Sequence, residues 1–217
     1  MKIKLGLIVG LFVFGTSAAP AFATPPTFQA TALATKYCDD TWKALNTIAV
    51  PVSDPSGMRV KGIVDRLADT LGAGPWRVVV FSYADVGWPA IALLGNRIVV
   101  QKAFADEHTD AELAFIMAHE MGHVELGHIP ERFQALLEAS GNTATTWQQA
   151  SKFTHTQMPL YREEEFEADK FGLKLATSAH FDAQHGAASA LSHLREDAEH
   201  PAPHDRISAL SLDAVEK

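Results

Sequence analysis

Apolar residues recur every three or four positions over most of the chain, which is the spacing of helices with one buried face. The clearest stripe covers residues 60–71, and Ser56 is its expected cap. Thr109 and Glu112 have the spacing of a capping box, which predicts a helix that continues to about Gly127. The same periodicity predicts further helices over the ranges 37–48, 131–139, 159–179, 183–198 and 205–215.

Strand patterns are confined to one part of the chain. Residues 76–82 are rich in β-branched side chains and predict a strand. Residues 91–94 and 97–101 flank the turn pair Gly95-Asn96, which predicts a hairpin. Residues 143–158 are polar and weakly patterned, so we expect them to be irregular and mobile. Helices dominate with a small sheet inserted among them, and the predicted fold class is α+β.

The first 23 residues have the parts of a secretory signal peptide. Lys2 and Lys4 give a basic start, residues 5–14 form a short apolar run, and Ala21-Phe22-Ala23 is a small-x-small cleavage pattern. An uncleaved N-terminal anchor is the less favoured alternative, and no other run reaches the roughly 18–20 apolar residues of a membrane span. We therefore expect removal of residues 1–23 and export to the periplasm. The sequence does not decide whether the mature protein also contacts the outer membrane peripherally.

Composition favours one folded domain after this segment. The chain of 217 residues is 47% hydrophobic and 20% charged, which excludes global disorder. A formal net charge of −8 disfavours nucleic acid as the main partner. Residues 24–35 are rich in Pro, Thr and Ala and predict a flexible leader, followed by a single domain over 36–217. Cys38 is the only cysteine, so no disulfide can form within the chain, and we expect the thiol to be buried.

A metal-binding pattern, His119-Glu120-Met121-Gly122-His123, lies inside the predicted Thr109 helix. Two histidines four residues apart lie one turn apart on one helix face, so their nitrogens can share a tetrahedral zinc at about 2.0–2.1 Å. Glu120 lies beside the water that such a zinc would hold and can take its proton as the water attacks a carbonyl. The alternative is a pair of histidines satisfied within the core.

A catalytic zinc needs a third protein ligand. His128 is the nearest candidate in the sequence. It lies nine residues after His119 and points away from it if the helix continues, so we expect it to be a helix-end residue favoured by the dipole.

The acidic start of the 159–179 helix offers a better third ligand. Glu163 and Glu167 share a stripe with two lysines, which predicts a solvated face. Glu165 and Asp169 share another stripe with small residues, so Glu165 can complete the zinc site and Asp169 can accept a hydrogen bond from a ligand histidine. Spacing leaves open that Glu164 takes the ligand role, or that these acids only favour the helix dipole.

Three blocks together resemble a known family, the zinc metalloendopeptidases that include the HtpX heat-shock proteases and the CAAX prenyl proteases. The soluble periplasmic and mitochondrial members are the most similar. The blocks are His119 to His123 with the trailing Gly127-His128, then E-x-x-A-D-x-x-G from Glu165, then H-P-x-x-x-x-R-I from His200. The resemblance implies a mainly helical gluzincin-type domain with one zinc per chain, held by His119, His123 and Glu165.

The resemblance also implies roles outside the zinc ligands. The His200 block is expected to fold back to the metal cleft, where His200 could occupy or gate the open zinc position and Arg206 could stabilise the negative oxygen of the transition state. The 90–101 hairpin resembles the family's edge strand, which receives an extended substrate. Trp88-Pro89-Ala90 and Leu94-Gly95-Asn96 depart from the family's usual hairpin residues, and this puts substrate preference in doubt.

These patterns favour an exported zinc endopeptidase that acts on proteins or peptides, with unfolded or misfolded envelope proteins in quality control as the expected substrates. One alternative is a zinc-binding chaperone or assembly factor with little proteolysis, although a purely structural zinc site has no use for a base such as Glu120. Another is a latent protease whose C-terminal segment fills the open zinc position.

Overall fold

The computed structural model describes residues 25–83, 86, 88–198 and 200–212. The predicted signal peptide, residues 1–23, lies outside the described residues. The helices and strands of the described part follow in chain order: α1 (Phe28–Asn46), α2 (Pro55–Leu71), β1 (Arg77–Phe81), β2 (Ala90–Leu93), β3 (Arg97–Gln101), α3 (Lys102–Glu107), α4 (Asp110–Glu125), α5 (His128–Ala139), α6 (Trp147–Ala150), a 3₁₀ helix (Ser151–Thr156), α7 (Met158–Ser178), α8 (Ala183–His193) and α9 (Pro203–Ala209). The predicted class, mainly helical α+β, is confirmed.

The small sheet has the strand order β1-β3-β2, so β2 lies at one edge. The predicted hairpin is confirmed: β2 and β3 pair antiparallel, and Gly95 and Asn96 between them have φ angles of 82° and 55°. β1 pairs with β3 in parallel, in the register Arg77 with Arg97. This order places the free edge of β2 next to α4, the helix that carries the metal-binding pattern.

Helix α4 lies at the centre of the domain, and its apolar residues pack on α2, α7, α8 and the sheet. Thr109 and Glu112 form the predicted capping box, in which the Thr109 N–H donates to Glu112 Oε2 at 2.7 Å. Leu113, Met117 and Met121 share the main hydrophobic cluster with side chains of α2, β3 and α7, and all three are fully buried. The capped, buried helix therefore gives the metal-binding pattern a rigid support.

The first helix begins nine residues earlier than predicted, so residues 28–35 of the expected flexible leader are helical. The Thr27 hydroxyl accepts a hydrogen bond from the Ala30 N–H at 3.2 Å and caps the helix. Ala30, Leu33 and Ala34 are buried and belong to a cluster with the apolar side of α5. The prediction gave weight to the turn-forming Pro and Thr residues, whereas tertiary burial of the alanines and leucine decides the outcome.

The cap of α2 and the structure of segment 143–158 also differ from the sequence predictions. Asp54, rather than Ser56, caps α2, because its carboxylate accepts the Ser56 N–H at 2.9 Å. The polar segment 143–158 is not irregular throughout, since α6 and the 3₁₀ helix lie within it and Trp147 Nε1 donates to Asp40 Oδ2 at 3.1 Å. Among the described residues, no helix has the length and apolar character needed to span a membrane.

Candidate metal centre and active site

Three buried side chains from two helices meet at one point of the domain. His119 and His123 lie one turn apart on α4, and Glu165 reaches them from α7. Nε2 of His119 is 3.2 Å from Nε2 of His123, and the Glu165 oxygens lie 3.4 Å and 3.3 Å from these two nitrogens. Ligand bonds of about 2.0–2.1 Å in a tetrahedron require ligand atoms about 3.3–3.4 Å apart. The distances between these nitrogen and oxygen atoms are therefore those that zinc ligands require.

The chemistry of Glu165 also fits a cation. Its Oε2 atom is buried and has no hydrogen-bond partner among the described residues, although His119 and Arg206 lie within ion-pair distance. Burial raises the pKa of Glu165, but the charges and hydrogen bonds of His119 and His123 together outweigh burial and hold that pKa well below its ordinary value. An ionised, buried carboxylate oxygen with no hydrogen bond is costly unless a cation neutralises it.

The face assignment of α7 is largely as predicted. Glu165 and Asp169 point inward and are buried, whereas Glu163 is exposed. The small residue in this stripe matters because a Cβ atom on Gly172 would lie only 2.8 Å from the His119 backbone nitrogen. Glycine therefore allows α7 to cross α4 at very short distance, which delivers the Glu165 carboxylate to the two histidines.

Glu164 is also buried, but it turns to a different partner. Arg132 of α5 donates Nε to Glu164 Oε2, and its Nη2 lies 3.5 Å from Glu165 Oε1. The Arg132 guanidinium stacks over the Tyr161 ring at 4.5 Å. The structure therefore brings Glu165, not Glu164, to the histidine pair. Sequence reasoning missed Arg132, because neither its helix phase nor its spacing marks it as a neighbour of the metal centre.

Asp169 orients the first histidine. Its Oδ1 atom is 3.0 Å from Nδ1 of His119, so that ring donates through Nδ1 and leaves the Nε2 lone pair for a metal. Arg206 in turn donates Nε and Nη2 to the two Asp169 oxygens at 2.7 Å and 2.6 Å. Burial lowers the pKa of His119, but the negative charges of Glu165 and Asp169 dominate and raise it to about 10.

The structure contradicts the expectation that His128 points away from His119 and His123. Helix α4 ends at Glu125, and Gly127 adopts a left-handed conformation with φ 83°, which turns the chain so that α5 begins at His128. His128 is buried, and its Nδ1 lies 2.8 Å from Nδ1 of His123. The glycine was the available signal, since Gly commonly ends a helix in this conformation.

Glu167 also departs from the predicted solvated face. Its Oε2 atom lies 3.2 Å from Nε2 of His128, and its side chain is 38% exposed. The stripe of Glu163, Lys170 and Lys174 is exposed as predicted. Periodicity placed Glu167 on that stripe correctly, but it could not show that α5 borders one edge of it.

Glu120 lies between the histidines and the sheet. Its Oε2 atom accepts a hydrogen bond from the backbone N–H of Ala92, in β2, at 3.0 Å. Burial raises the pKa of Glu120 above its ordinary value. A cleft of about 790 Å³ opens over Glu120 and the histidines, and its walls carry many aromatic and aliphatic side chains. These include Tyr37, Trp88, Ile91, Phe115, Phe133 and Leu191.

The C-terminal block reaches the same cleft, which both His200 and Arg206 line. Arg206 is buried, with 3% of its side chain exposed, and it donates two hydrogen bonds to Asp169. His200 pairs through Nδ1 with the Asp197 carboxylate at 2.9 Å and is 42% exposed. Within the described part of the chain, His200 makes no hydrogen bond or ion pair with the three metal-binding side chains. The expected gating by His200 and oxyanion stabilisation by Arg206 stay predictions.

Comparison with known proteins agrees with this geometry. Residues 57–213 match peptidase family M48. A relative, Metalloprotease LoiP of Escherichia coli strain K12, is 30% identical over 128 residues, which are 59% of this chain and 49% of the relative. The chain thus spans about half the length of the curated relative that it matches. The resemblance drawn from the three sequence blocks is confirmed at the level of the family, although it does not separate the HtpX and CAAX subfamilies. Because the family match covers most of the chain, this protein belongs to peptidase family M48.

Proposed function

We propose that this protein is a zinc-dependent endopeptidase that is exported and cleaves unfolded stretches of other proteins. One observation carries the proposal: the metal-binding side chains His119, His123 and Glu165 adjoin a carboxylate, Glu120, which lies on α4 with the two histidines. A zinc site that serves only structure is closed by four ligands and needs no base, whereas this group offers three ligands beside an open cleft.

The proposed roles follow from the contacts. Zinc, when bound, supplies a Lewis acid that polarises a carbonyl and lowers the pKa of water. His119, His123 and Glu165 would hold it, and Glu120 would take the proton of the attacking water and pass it to the leaving amine. Glu120 lines the open cleft beside the two histidines, where a carboxylate can both accept and return a proton.

The free edge of β2 is the proposed binding site for the substrate backbone. Gln101 donates its N–H to the Pro89 carbonyl at 2.7 Å. In the antiparallel pattern, the backbone N–H and C=O groups of Ile91 and Leu93 therefore point to β3, and those of Ala90 and Ala92 point to the free edge. The contact from Ala92 to Glu120 agrees with this alternation. An extended peptide that pairs with this edge would lie across Glu120, and main-chain pairing demands extended backbone rather than a particular sequence.

Export and quality control are the finer part of the proposal. They are supported by the signal-peptide pattern of residues 1–23 and by the substrate requirement for extended, hence unfolded, backbone. Amino-terminal sequencing of the protein from a periplasmic fraction should begin at Thr24. Full-length protein in the cytoplasmic fraction would contradict export, and release of the mature form from membranes by salt would identify peripheral contact.

A digest tests the proposed activity. Purified protein should cleave reduced, unfolded casein and leave a stably folded protein intact, should lose this activity to a chelator, and should regain it with zinc. The alternative, a zinc-binding chaperone, predicts that the protein suppresses aggregation of the unfolded substrate at full zinc content without producing fragments. A gel detects the fragments that a peptidase produces, and light scattering detects the suppression of aggregation by a chaperone.

A further inference from the structure

The two metal-binding histidines are supported in different ways. His119 donates through Nδ1 directly to a carboxylate, Asp169. Among the described residues, no carboxylate contacts Nδ1 of His123, and this atom lies 2.8 Å from Nδ1 of a third histidine, His128. His128 then reaches Glu167 through its Nε2 atom at 3.2 Å. Two helices, α5 and α7, thus supply a chain of side chains that leads away from the metal centre.

The direction of the hydrogen bonds in this chain follows from the donors available. Nε2 of His123 faces His119 and Glu165 at 3.2 Å and 3.3 Å, so this atom needs a free lone pair when metal binds, and the ring proton must be on Nδ1. The acceptor beside that Nδ1 is Nδ1 of His128, which must therefore carry no proton. The proton of His128 is then on Nε2, from which it is donated to the Glu167 carboxylate.

We propose that His128 and Glu167 form a relay of two hydrogen bonds that fixes the tautomer and ring orientation of His123, and that this relay is required for tight zinc binding. His128 is thus a positioning residue rather than a ligand or a catalytic group. The inference rests on the zinc site of the proposed peptidase, but it is tested by metal affinity in the absence of substrate. Failure of proteolysis and failure of the relay are therefore distinguishable.

The burial of His128 supports its role as a positioning residue. His128 is almost fully buried, with 1% of its surface exposed, and a buried imidazole is unfavourable unless both ring nitrogens have partners. Both have partners here only because Gly127, with φ 83°, turns the chain back on α4 directly after the pattern. Substitutions of partners outside the ligand shell commonly weaken metal binding about 10–100-fold.

Two substitutions of His128 separate positioning from packing. H128N places an amide oxygen close to the site of Nδ1 and keeps an acceptor for His123, although it removes volume and the link to Glu167. H128L fills the site better but offers no acceptor. The relay predicts that H128L loses about 10–100-fold in zinc affinity and that H128N loses less. Simple packing predicts the reverse order, because Leu replaces the buried ring more fully than Asn does.

Glu167 provides a second test that does not disturb the core, since its side chain is 38% exposed. E167A should weaken zinc binding by less than H128L does but measurably, whereas E163A, an exposed position on the same helix, should bind zinc like the wild type. Metal-free proteins would be titrated with zinc against a chromophoric chelator, and their unfolding free energies would be measured with excess chelator to confirm that each one folds.

Nitrogen-15 NMR of the imidazoles in the zinc-loaded wild type completes the test. The relay predicts a proton on Nε2 of His128 and none on its Nδ1. Wild-type zinc affinity in both H128L and E167A, weaker binding by H128N than by H128L, or a proton on Nδ1 of His128 would each overturn the proposal. The expected order of affinity, wild type first, then H128N, then H128L, would support it.

Discussion

The crossing of α4 and α7 at Gly172 is expected to control both stability and metal binding. A Cβ atom on Gly172 would lie 2.8 Å and 2.9 Å from the backbone N and Cα atoms of His119. Ordinary contacts between such atoms are about 3.5–4.0 Å, so G172A must push the helices apart by roughly 0.6–1 Å. Backbone atoms are the obstacle, and no flexible side chain can move aside.

The expected change in unfolding free energy of G172A is the sum of two opposing effects. Overpacking costs about 1–3 kcal/mol, and the better helix propensity of Ala returns roughly 0.8–1 kcal/mol, so the metal-free protein should lose up to about 2 kcal/mol of unfolding free energy. Metal binding should suffer more. Glu165 lies two turns before Gly172 on the same face, and metal–ligand distances tolerate only about ±0.2 Å.

Urea unfolding in excess chelator and zinc titration of the metal-free protein measure the two effects separately. G62A is the matched control, because Gly62 is an exposed position inside α2 with no other atom within 4 Å of the added Cβ. It should stabilise the protein by roughly 0.5–1 kcal/mol and leave zinc affinity unchanged. Wild-type zinc affinity in G172A would refute the idea that this close crossing positions Glu165.

Three further predictions concern single side chains. E165Q should lower zinc content, whereas E163Q should leave it unchanged, as metal analysis of the purified variants would show; normal zinc in E165Q would remove Glu165 from the ligand set. R206A leaves Asp169 buried without its two-pronged partner and should reduce the unfolding free energy by about 3–5 kcal/mol, and a loss under 1 kcal/mol would mean that the pair is dispensable. Burial raises the pKa of the Cys38 thiol from 9.0 to about 11, so between these pH values the unfolded chain loses this proton first and stability falls with rising pH, by roughly 2–3 kcal/mol in total. That pH-dependent loss should be missing in C38A, and equal slopes in both proteins would contradict it.

Local sequence rules predicted the parts of the site that depend on one element. The capping box of Thr109 and Glu112 and the four-residue spacing of His119 and His123 both act within a single helix, so periodicity alone was sufficient to anticipate them. The helix phase also placed Glu165 and Asp169 on one stripe of α7, although it left Glu164 open as the alternative ligand. These features are local, and the structure brings them together as expected.

The parts that were missed depend on how elements meet. His128 was assigned to the end of a continuing helix, whereas the turn at Gly127 places it against His123. Arg132 acquires its place beside Glu164 only because α5 packs on α7. Residues 28–35 become helical because α5 offers them an apolar surface to cover. Each of these outcomes is set by tertiary contact, which a single sequence read locally does not contain.

The measurement that tests the central claim most directly compares E120Q with E125Q. Both substitutions lie on α4, but Glu120 contacts the β2 edge beside the metal centre and Glu125 is exposed at the helix end. With zinc content matched by metal analysis, E120Q should cleave unfolded casein at least about 10²-fold more slowly than the wild type, because its amide cannot accept a proton. E125Q should cleave at the wild-type rate. Near-wild-type cleavage by zinc-loaded E120Q would contradict the assignment of Glu120 as the base of a zinc peptidase.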